Sequence, residues 1–504
     1  MKNDKSFLTN KTRIIKSGTE ILPYLLFSLP VVLTASLPFF WDTLQLASRH
    51  AHFFYETRFS SVFLPNEMDS GHIPAFGIYL AMMWMIFGKT LVVSHLCMLP
   101  FVLGAVYQTR KLTDFLFSTQ YNWLISCLLL ADAAILTQFT LVSPDVWILF
   151  FFIMGLNALF REKPFLLATA LTGLTLTSMR GMMLVAALFI AGWLTLMIIR
   201  PIKSVSTIRI SRDYIVKALP IYLPAFLVAF AYFSLHYLRT GWIGYHADMP
   251  WAVHFERVNA SGFFRNCVIQ GWRLADNGRI IVWLTLIYLI GRMIHQKVQT
   301  DFQGKRLIIY SLTILVALSY SVLTYRNLSG HRYLIPVYLL VTLTAVYHLI
   351  RLPAIKGRKL ILIIIGLTLL SGNFWVYPDR ISKGWDAMLA YLPYQQLRKE
   401  MIVFIDRQNI GYRDVGTDFP NNIPFKYIDL NGDTRSFGSI ESGMDSFRYI
   451  FYSNVFNGFS DAELKALLTD WKVIKTTHKG QVKVILYEKR PTEVLPITGF
   501  TPGK

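Results

Sequence analysis

The chain has 504 residues, of which 54% are hydrophobic, 15% aromatic and only 16% charged, with a positive mean hydropathy; this excludes an ordinary soluble enzyme of two or three domains and points to a bilayer. The formal net charge of +20 falls in short clusters between apolar segments rather than along one polar face, which reads as membrane topology and excludes a nucleic-acid footprint. The three cysteines, Cys97, Cys127 and Cys267, imply no disulfide framework, and there is no Walker loop, dinucleotide fingerprint or internal repeat.

From the N-terminus, Lys2, Lys5, Lys11, Arg13 and Lys16 precede a long apolar run with no small-residue cleavage site after it, so the run reads as a retained first span. About eleven segments are long enough to cross a bilayer, near 21–40, 89–108, 122–141, 146–160, 164–178, 182–199, 218–236, 280–294, 307–325, 333–350 and 360–377. With the N-terminus inside, the cytoplasmic connections are all basic: Arg110 and Lys111, Arg161 and Lys163, Arg200 to Lys217, Arg292 to Arg306, and Arg351 to Lys359. The opposite connections hold almost no lysine beyond Lys89 and carry arginine instead, among them Arg49, Arg58, Arg180, Arg239, Arg257, Arg265, Arg326 and Arg332. This threading requires Ile73 to Phe87, short and opened by Pro74, to be an interfacial or re-entrant helix.

After residue 377 the chain turns polar. Strand-like runs at Met401 to Ile405, Arg448 to Phe451 and Lys483 to Tyr487, with a helix-like Ser460 to Trp471, predict a small soluble α/β domain over 379–504, on the same face as the first loop. The expected fold is thus a multi-pass α-helical membrane protein over 1–378, N-terminus in and C-terminus out, with an extracytoplasmic α/β appendage.

The first outer loop, 41–88, crowds Asp42, Glu56, Glu67, Asp69, His50, His52 and His72 at one membrane face. Group transfer from an anionic leaving group needs a carboxylate to take the acceptor proton and cations to hold the departing charge, and this loop and its neighbours supply both. Asp42, beside Trp41 at the outer end of the first span, is the sharpest candidate, with helix capping as the alternative. The aromatic and basic loop from Arg239 to Arg279, including Trp242, Tyr245, His246, Trp251 and Trp272, suits both an interfacial belt and a sugar-stacking lid.

In order along the chain, Trp41-Asp42, Asp69-Ser70-Gly71-His72-Ile73-Pro74, Ser143-Pro144-Asp145, Ser178-Met179-Arg180-Gly181 and Gly330-His331-Arg332-Tyr333-Leu334-Ile335-Pro336 resemble the motifs of the lipid-linked glycosyltransferases of the GT-C type. The similarity is greatest to the protein O-mannosyltransferase and aminoarabinose lipid A transferase branch, and it covers roughly the first 340 residues. Two departures stand out: Ile73 replaces the first of two prolines, and Arg180 replaces the commoner lysine, keeping the charge and adding a bidentate grip on phosphate.

The resemblance implies a polyprenyl-phosphate sugar donor and an extracytoplasmic acceptor, which could be a glycan, lipid A or a protein. It implies Asp42 as catalytic base and Asp145 as a second catalytic carboxylate, binding acceptor or orienting an arginine while Ser-Pro-Asp also caps a helix. Arg180, Arg332 and Tyr333, with Arg273 or Arg279, would bind the donor phosphate. Arg332-Tyr333 can also be read as an interface anchor, and Asp276 as a partner of Arg273 or Arg279 by spacing. Asp69, His72 and Glu67 bind acceptor or organise the loop; their spacing is no metal signature, although a divalent cation is one reading. A transporter or flippase would put polar residues midway along spans, where only Asp132 stands, and an O-antigen polymerase or ligase would put its large loop late in the chain. The compact chain, with no retention signal, suggests a bacterial inner membrane and an active site facing the periplasm or cell exterior.

Overall fold

The computed structural model describes residues 20–199, 207–247, 249, 252–326, 330–353, 355–381 and 384–491. The N-terminal basic cluster, the start of the Arg200 to Lys217 connection and Trp251 lie outside the described residues. The chain divides into two compact units, one of residues 1–375 with 384–389 and 427–430, the other of 376–383, 390–426 and 431–504.

The first unit is helical. Helix α1 (Glu20–Leu33) leads through a turn to a π-helical stretch (Leu44–Arg49) and then α2 (His50–Glu56), α3 (Ala75–Phe87), α4 (Leu91–Leu96) and α5 (Leu99–Leu116). There follow α6 (Asn122–Leu130), α7 (Ala133–Gln138), α8 (Pro144–Phe160), α9 (Pro164–Thr177), α10 (Met179–Ile199), α11 (Thr207–Thr240), α12 (Ala260–Ala275), α13 (Ile280–His295), α14 (Phe302–Thr324), α15 (Ile335–Arg351) and α16 (Arg358–Ser371). Two of these are buried on all sides and form the centre: every residue of α15 from Ile335 to Leu349 is buried, and most of α8 with it. Lipid gives apolar side chains no reason to associate, so close packing and interhelical hydrogen bonds must hold the bundle. Asn157 on α8 donates to Gln108 on α5 at 2.6 Å, Ser311 and Thr344 pair at 2.8 Å between α14 and α15, and Thr113 pairs with Ser126 at 2.8 Å between α5 and α6. Helix α11, interrupted by Pro220 and Pro224, is peripheral and only 11% buried over its most apolar window.

Among the described residues five helices are long and apolar enough to cross a membrane, or six if α12 and α13, which meet at 93°, count as one broken span; α1, α3, α8 and α9 are apolar but shorter. The apolar segments therefore fall where the sequence placed them, but several are shorter than continuous spans. The predicted span 122–141 is broken after Leu130, where Asp132 caps α7 by accepting the Ala134 N–H at 2.9 Å. The loop expected from Arg239 to Arg279 is partly helix, because Asn259 caps α12 by accepting the Gly262 N–H at 2.9 Å.

The second unit holds a five-stranded sheet in the order β2-β1-β3-β5-β4, from β1 (Val415–Thr417), β2 (Gly438–Ser439), β3 (Tyr449–Ser453), β4 (Trp471–Lys479) and β5 (Val482–Lys489). β1 runs parallel to β2 and β3, while β5 is antiparallel to both β3 and β4. The strand-like reading of Met401 to Ile405 is corrected: it lies in α17 (Pro393–Arg407), whose buried Leu397, Met401 and Ile405 recur every four residues behind a proline at the helix start. A helix at Asp461–Thr469 opens with a capping box between Ser460 and Glu463.

Candidate active site

Each candidate motif is a break between apolar segments, fixed locally. After α1, Thr43 Oγ1 accepts the Phe40 N–H at 3.1 Å and donates to the Phe40 carbonyl at 2.6 Å, and Trp41 takes a left-handed φ of 57°. The Asp42 carbonyl then accepts the Leu46 N–H at 3.0 Å, starting the π-helical turn and leaving the Asp42 side chain at its mouth. Asp145 stands in the first turn of α8, behind Pro144, with Ser143 Oγ accepting its N–H at 3.1 Å. Arg180 opens α10, where Ser178 Oγ accepts the Gly181 N–H at 3.2 Å; a Cβ on Gly181 would lie 1.9 Å from the Leu174 carbonyl oxygen, so no other residue fits. Arg332 and Tyr333 lie in a 3₁₀ turn, His331–Leu334, ahead of α15.

These turns meet. Arg332 is 5% exposed and forms ion pairs with Asp42, with Asp386 at 3.1 Å and with Asp145 at 3.8 Å. Arg180 donates to Asp145, and its guanidinium lies 4.2 Å from the centre of the Tyr333 ring, with that of Arg332 at 5.0 Å. A cavity of about 390 Å³ opens here, with Asp42, Gln45, Ser70, His72, Arg180 and Tyr333 in its polar lining and Met183, Phe255 and Leu318 in its apolar lining. Ser70 Oγ and His72 Nδ1 are buried with no hydrogen-bond partner among the described residues. Burial, then the charge of Arg180, pushes the His72 imidazole down to about 4, so it is neutral at ordinary pH. Burial raises the Asp386 carboxyl against the opposing pull of Arg332.

Other predicted residues lie elsewhere. Asp69 accepts the Gly71 N–H at 2.8 Å and pairs with His236 at 2.9 Å, while the other ring nitrogen of His236 is 3.0 Å from the Trp242 carbonyl. This ties the first loop to the end of α11: Gly71, at φ 71°, runs so close to Gly244 that a Cβ would fall 1.9 Å from its carbonyl oxygen. Glu67 is exposed. Arg279 is held by Asp132 through two hydrogen bonds of 2.6 and 2.8 Å and stacks 3.7 Å from the Tyr338 ring centre. Arg273 lies 3.4 Å from His331, which pairs with Asp276 at 2.7 Å. Neither arginine lines the cavity. Among the described residues no group of three or more His, Cys, Asp or Glu is placed to hold a metal ion.

Asp386 was not legible as a site residue. It stands in the segment 384–389, pinned to the helical unit by Gln138 Nε2 donating to the Asp386 carbonyl at 2.6 Å and by Gly384 seated on His331. Its only sequence signal is Trp385-Asp386, the same dipeptide as Trp41-Asp42.

Apolar helices joined by charged turns that converge on one cavity define a GT-C-like membrane fold, as the motif resemblance implies. Two similar solved structures are ArnT from Cupriavidus metallidurans bound to undecaprenyl phosphate, with 12% identity, a TM-score of 0.52 and coverage of 93% of this chain and 98% of that one, and the same protein in the apo state, with a TM-score of 0.49 at the same identity and coverage. No family model and no curated protein matches the sequence.

Proposed function

We propose that this protein is a membrane glycosyltransferase that moves a sugar from a polyprenyl-phosphate donor to an extracytoplasmic acceptor. The observation that carries this reading is the juxtaposition of Asp42, Arg180 and Tyr333 in the lining of one cavity, with Arg332 behind them, paired with Asp42 and against the Tyr333 ring. The ligand bound to the similar ArnT structure agrees with a prenyl phosphate as the leaving group.

The charges suggest how donor binding and base release are coupled. Arg332 faces three carboxylates, of which the side chains of Asp145 and Asp386 are 4% and 7% exposed while that of Asp42 is 37% exposed. An arriving phosphate displaces the accessible partner, Asp42, because buried Asp145 and Asp386 have no solvent to receive them. Asp42 is thereby freed for the acceptor at the moment the donor is seated. The acceptor oxygen attacks the sugar C1, its proton passes to Asp42, and the C1–O bond to phosphate breaks with inversion. The electron pair leaves on the phosphate, neutralised by Arg180 and Arg332. Ser70 and neutral His72, in the polar lining, stand on the side where the sugar would sit. The apolar lining receives the start of the prenyl chain, and His254 and Phe255, which line the cavity, lie against the sugar.

The test is release of polyprenyl phosphate from a panel of polyprenyl-phosphate sugars, with envelope extract supplying acceptors, by the purified protein and by Asp42→Asn. The expected result is donor-dependent release that falls by a factor of about 100 to 10,000 in Asp42→Asn with donor binding retained. Equal release by both proteins would remove Asp42 from the chemistry, and no release from any donor would overturn the transferase reading.

A further inference from the structure

A second, larger cavity lies away from the site just described. It has a volume of about 950 Å³ and forms a groove between α1, α6 and α16, walled by Leu26, Phe27, Leu124, Leu128, Ile363 and Gly366. One end is polar: Thr119 and Tyr121 ahead of α6 face Arg358 and Lys359 at the start of α16, beside Ile350 near the end of α15. Helix α15 begins at the Arg332 turn and reaches this end about 25 Å further on, at about 1.5 Å per residue, so the groove's cations stand at the opposite ends of the helices from the catalytic cavity. The connection from Arg351 to Lys359 carries four cations and no carboxylate.

We infer that this groove binds an anionic glycerophospholipid, one acyl chain lying along α16 and its headgroup phosphate held by Arg358 and Lys359. Three features select this occupant. Two adjacent cations at the mouth of an apolar groove complement a phosphate carried on a chain, and basic pockets between transmembrane helices favour anionic headgroups. From Lys359 to Leu370 the groove rises about 16 Å, close to one leaflet of a hydrocarbon core about 30 Å thick. That depth accommodates a chain of one leaflet and not a polyprenyl tail several times longer. Gly366 brings α16 close to α6, where a Cβ would touch Leu128 at 3.5 Å, and no side chain of its own projects into the groove. Arg358 also donates to the Ile350 carbonyl at 3.1 Å and to the Leu352 carbonyl, which fixes its guanidinium at the mouth.

Native mass spectrometry of the full chain, exchanged from detergent into mixed micelles of phosphatidylglycerol and phosphatidylcholine, reads this directly. Retention of phosphatidylglycerol over phosphatidylcholine is expected in the wild type, falling roughly thirtyfold in the double variant Arg358→Gln, Lys359→Gln at about 1 kcal/mol per cation. Lys359→Gln alone, on an exposed side chain, guards against a folding defect from losing the Arg358 backbone contacts and should give a smaller loss in the same direction. Gly366→Leu should reduce retention by filling the groove. Equal retention of the two phospholipids, undiminished retention by both charge variants, or displacement of phosphatidylglycerol by equimolar polyprenyl phosphate would each overturn the assignment.

Discussion

At the scale of single residues, the unusual feature is an arginine outnumbered by its partners. Buried charge clusters are costly and survive when each member is paired, yet Arg332 cannot satisfy Asp42, Asp145 and Asp386 equally. Asp386 carries the excess: burial raises its carboxyl pKa, with Asp42 and Asp145 adding to the rise and Arg332 opposing it. A raised carboxyl pKa means that the folded state holds the proton more tightly than the unfolded chain does. The associated stability is present at low pH and lost as pH rises through the folded value. Asp386→Asn therefore should unfold no earlier than wild type at pH 7.5 in a detergent thermal melt, with any difference closing as pH is lowered. Asp145→Asn should behave differently, because Asp145 is the carboxylate that holds Arg180 beside the Tyr333 ring. Its donor kcat/KM should fall about 100-fold or more. A melt in which Asp386→Asn is less stable than wild type at pH 7.5, or an unchanged kcat/KM in Asp145→Asn, would contradict this division of roles.

At the scale of elements, the second unit offers a titration of its own. Asp418, just after β1, accepts the Phe419 N–H at 2.8 Å and the Gly458 N–H at 2.7 Å, holding the turn before the Asp461–Thr469 helix. Burial nevertheless pushes its carboxyl up to about 6, the two N–H donors opposing. Because the folded value is raised, this turn should be most stable near pH 4 and lose up to about 2–3 kcal/mol as pH rises through 6. Hydrogen exchange of the 454–460 segment, corrected for intrinsic rates, should show protection falling over that range in wild type. Asp418→Asn, which cannot titrate, should show a flat profile whatever its baseline. Elements of this kind explain what the sequence revealed. The turns at Asp42, Asp145, Arg180 and Arg332 were legible because each sets a charge against the end of an apolar run, a local signal. Helix α12 and Asp386 were not, since α12 is marked only by its Asn259 cap and Asp386 reaches Arg332 only through tertiary packing. Helix α17 was misread because a five-residue window cannot separate strand alternation from a four-residue recurrence.

At the scale of the whole molecule, the arrangement of charge argues for one orientation. Lysines mark the connections read as cytoplasmic, and the exception, Lys89, is explained by its surroundings. It lies 3.9 Å from Glu56 and within 6 Å of the Tyr55 and Trp84 ring centres, so its charge is compensated where it stands. That contact also bears on α3. The leg from Leu44 to Glu56 and the leg from Ala75 to Phe87 are each about 20 Å long, short of a hydrocarbon core of about 30 Å. They lie side by side, with Gly77 seated on His50 and the ends joined through Lys89 and Glu56. With His50 against Gly77 and Glu56 by Lys89 the two legs run in the same direction, and neither is long enough to cross the core, so α3 is expected not to invert the later connections. The consequence can be read by labelling cysteines placed at exposed Lys356, between α15 and α16, and at exposed Leu468 in the second unit, with Cys97, Cys127 and Cys267 replaced by serine. In intact cells with a permeabilised outer envelope, an impermeant maleimide should label Leu468→Cys and leave Lys356→Cys unlabelled until the inner membrane is opened. If the pattern is reversed, α3 or one of the short apolar helices crosses differently and the cavity holding Asp42 would face the cytoplasm; if both label from outside, α16 does not cross between them.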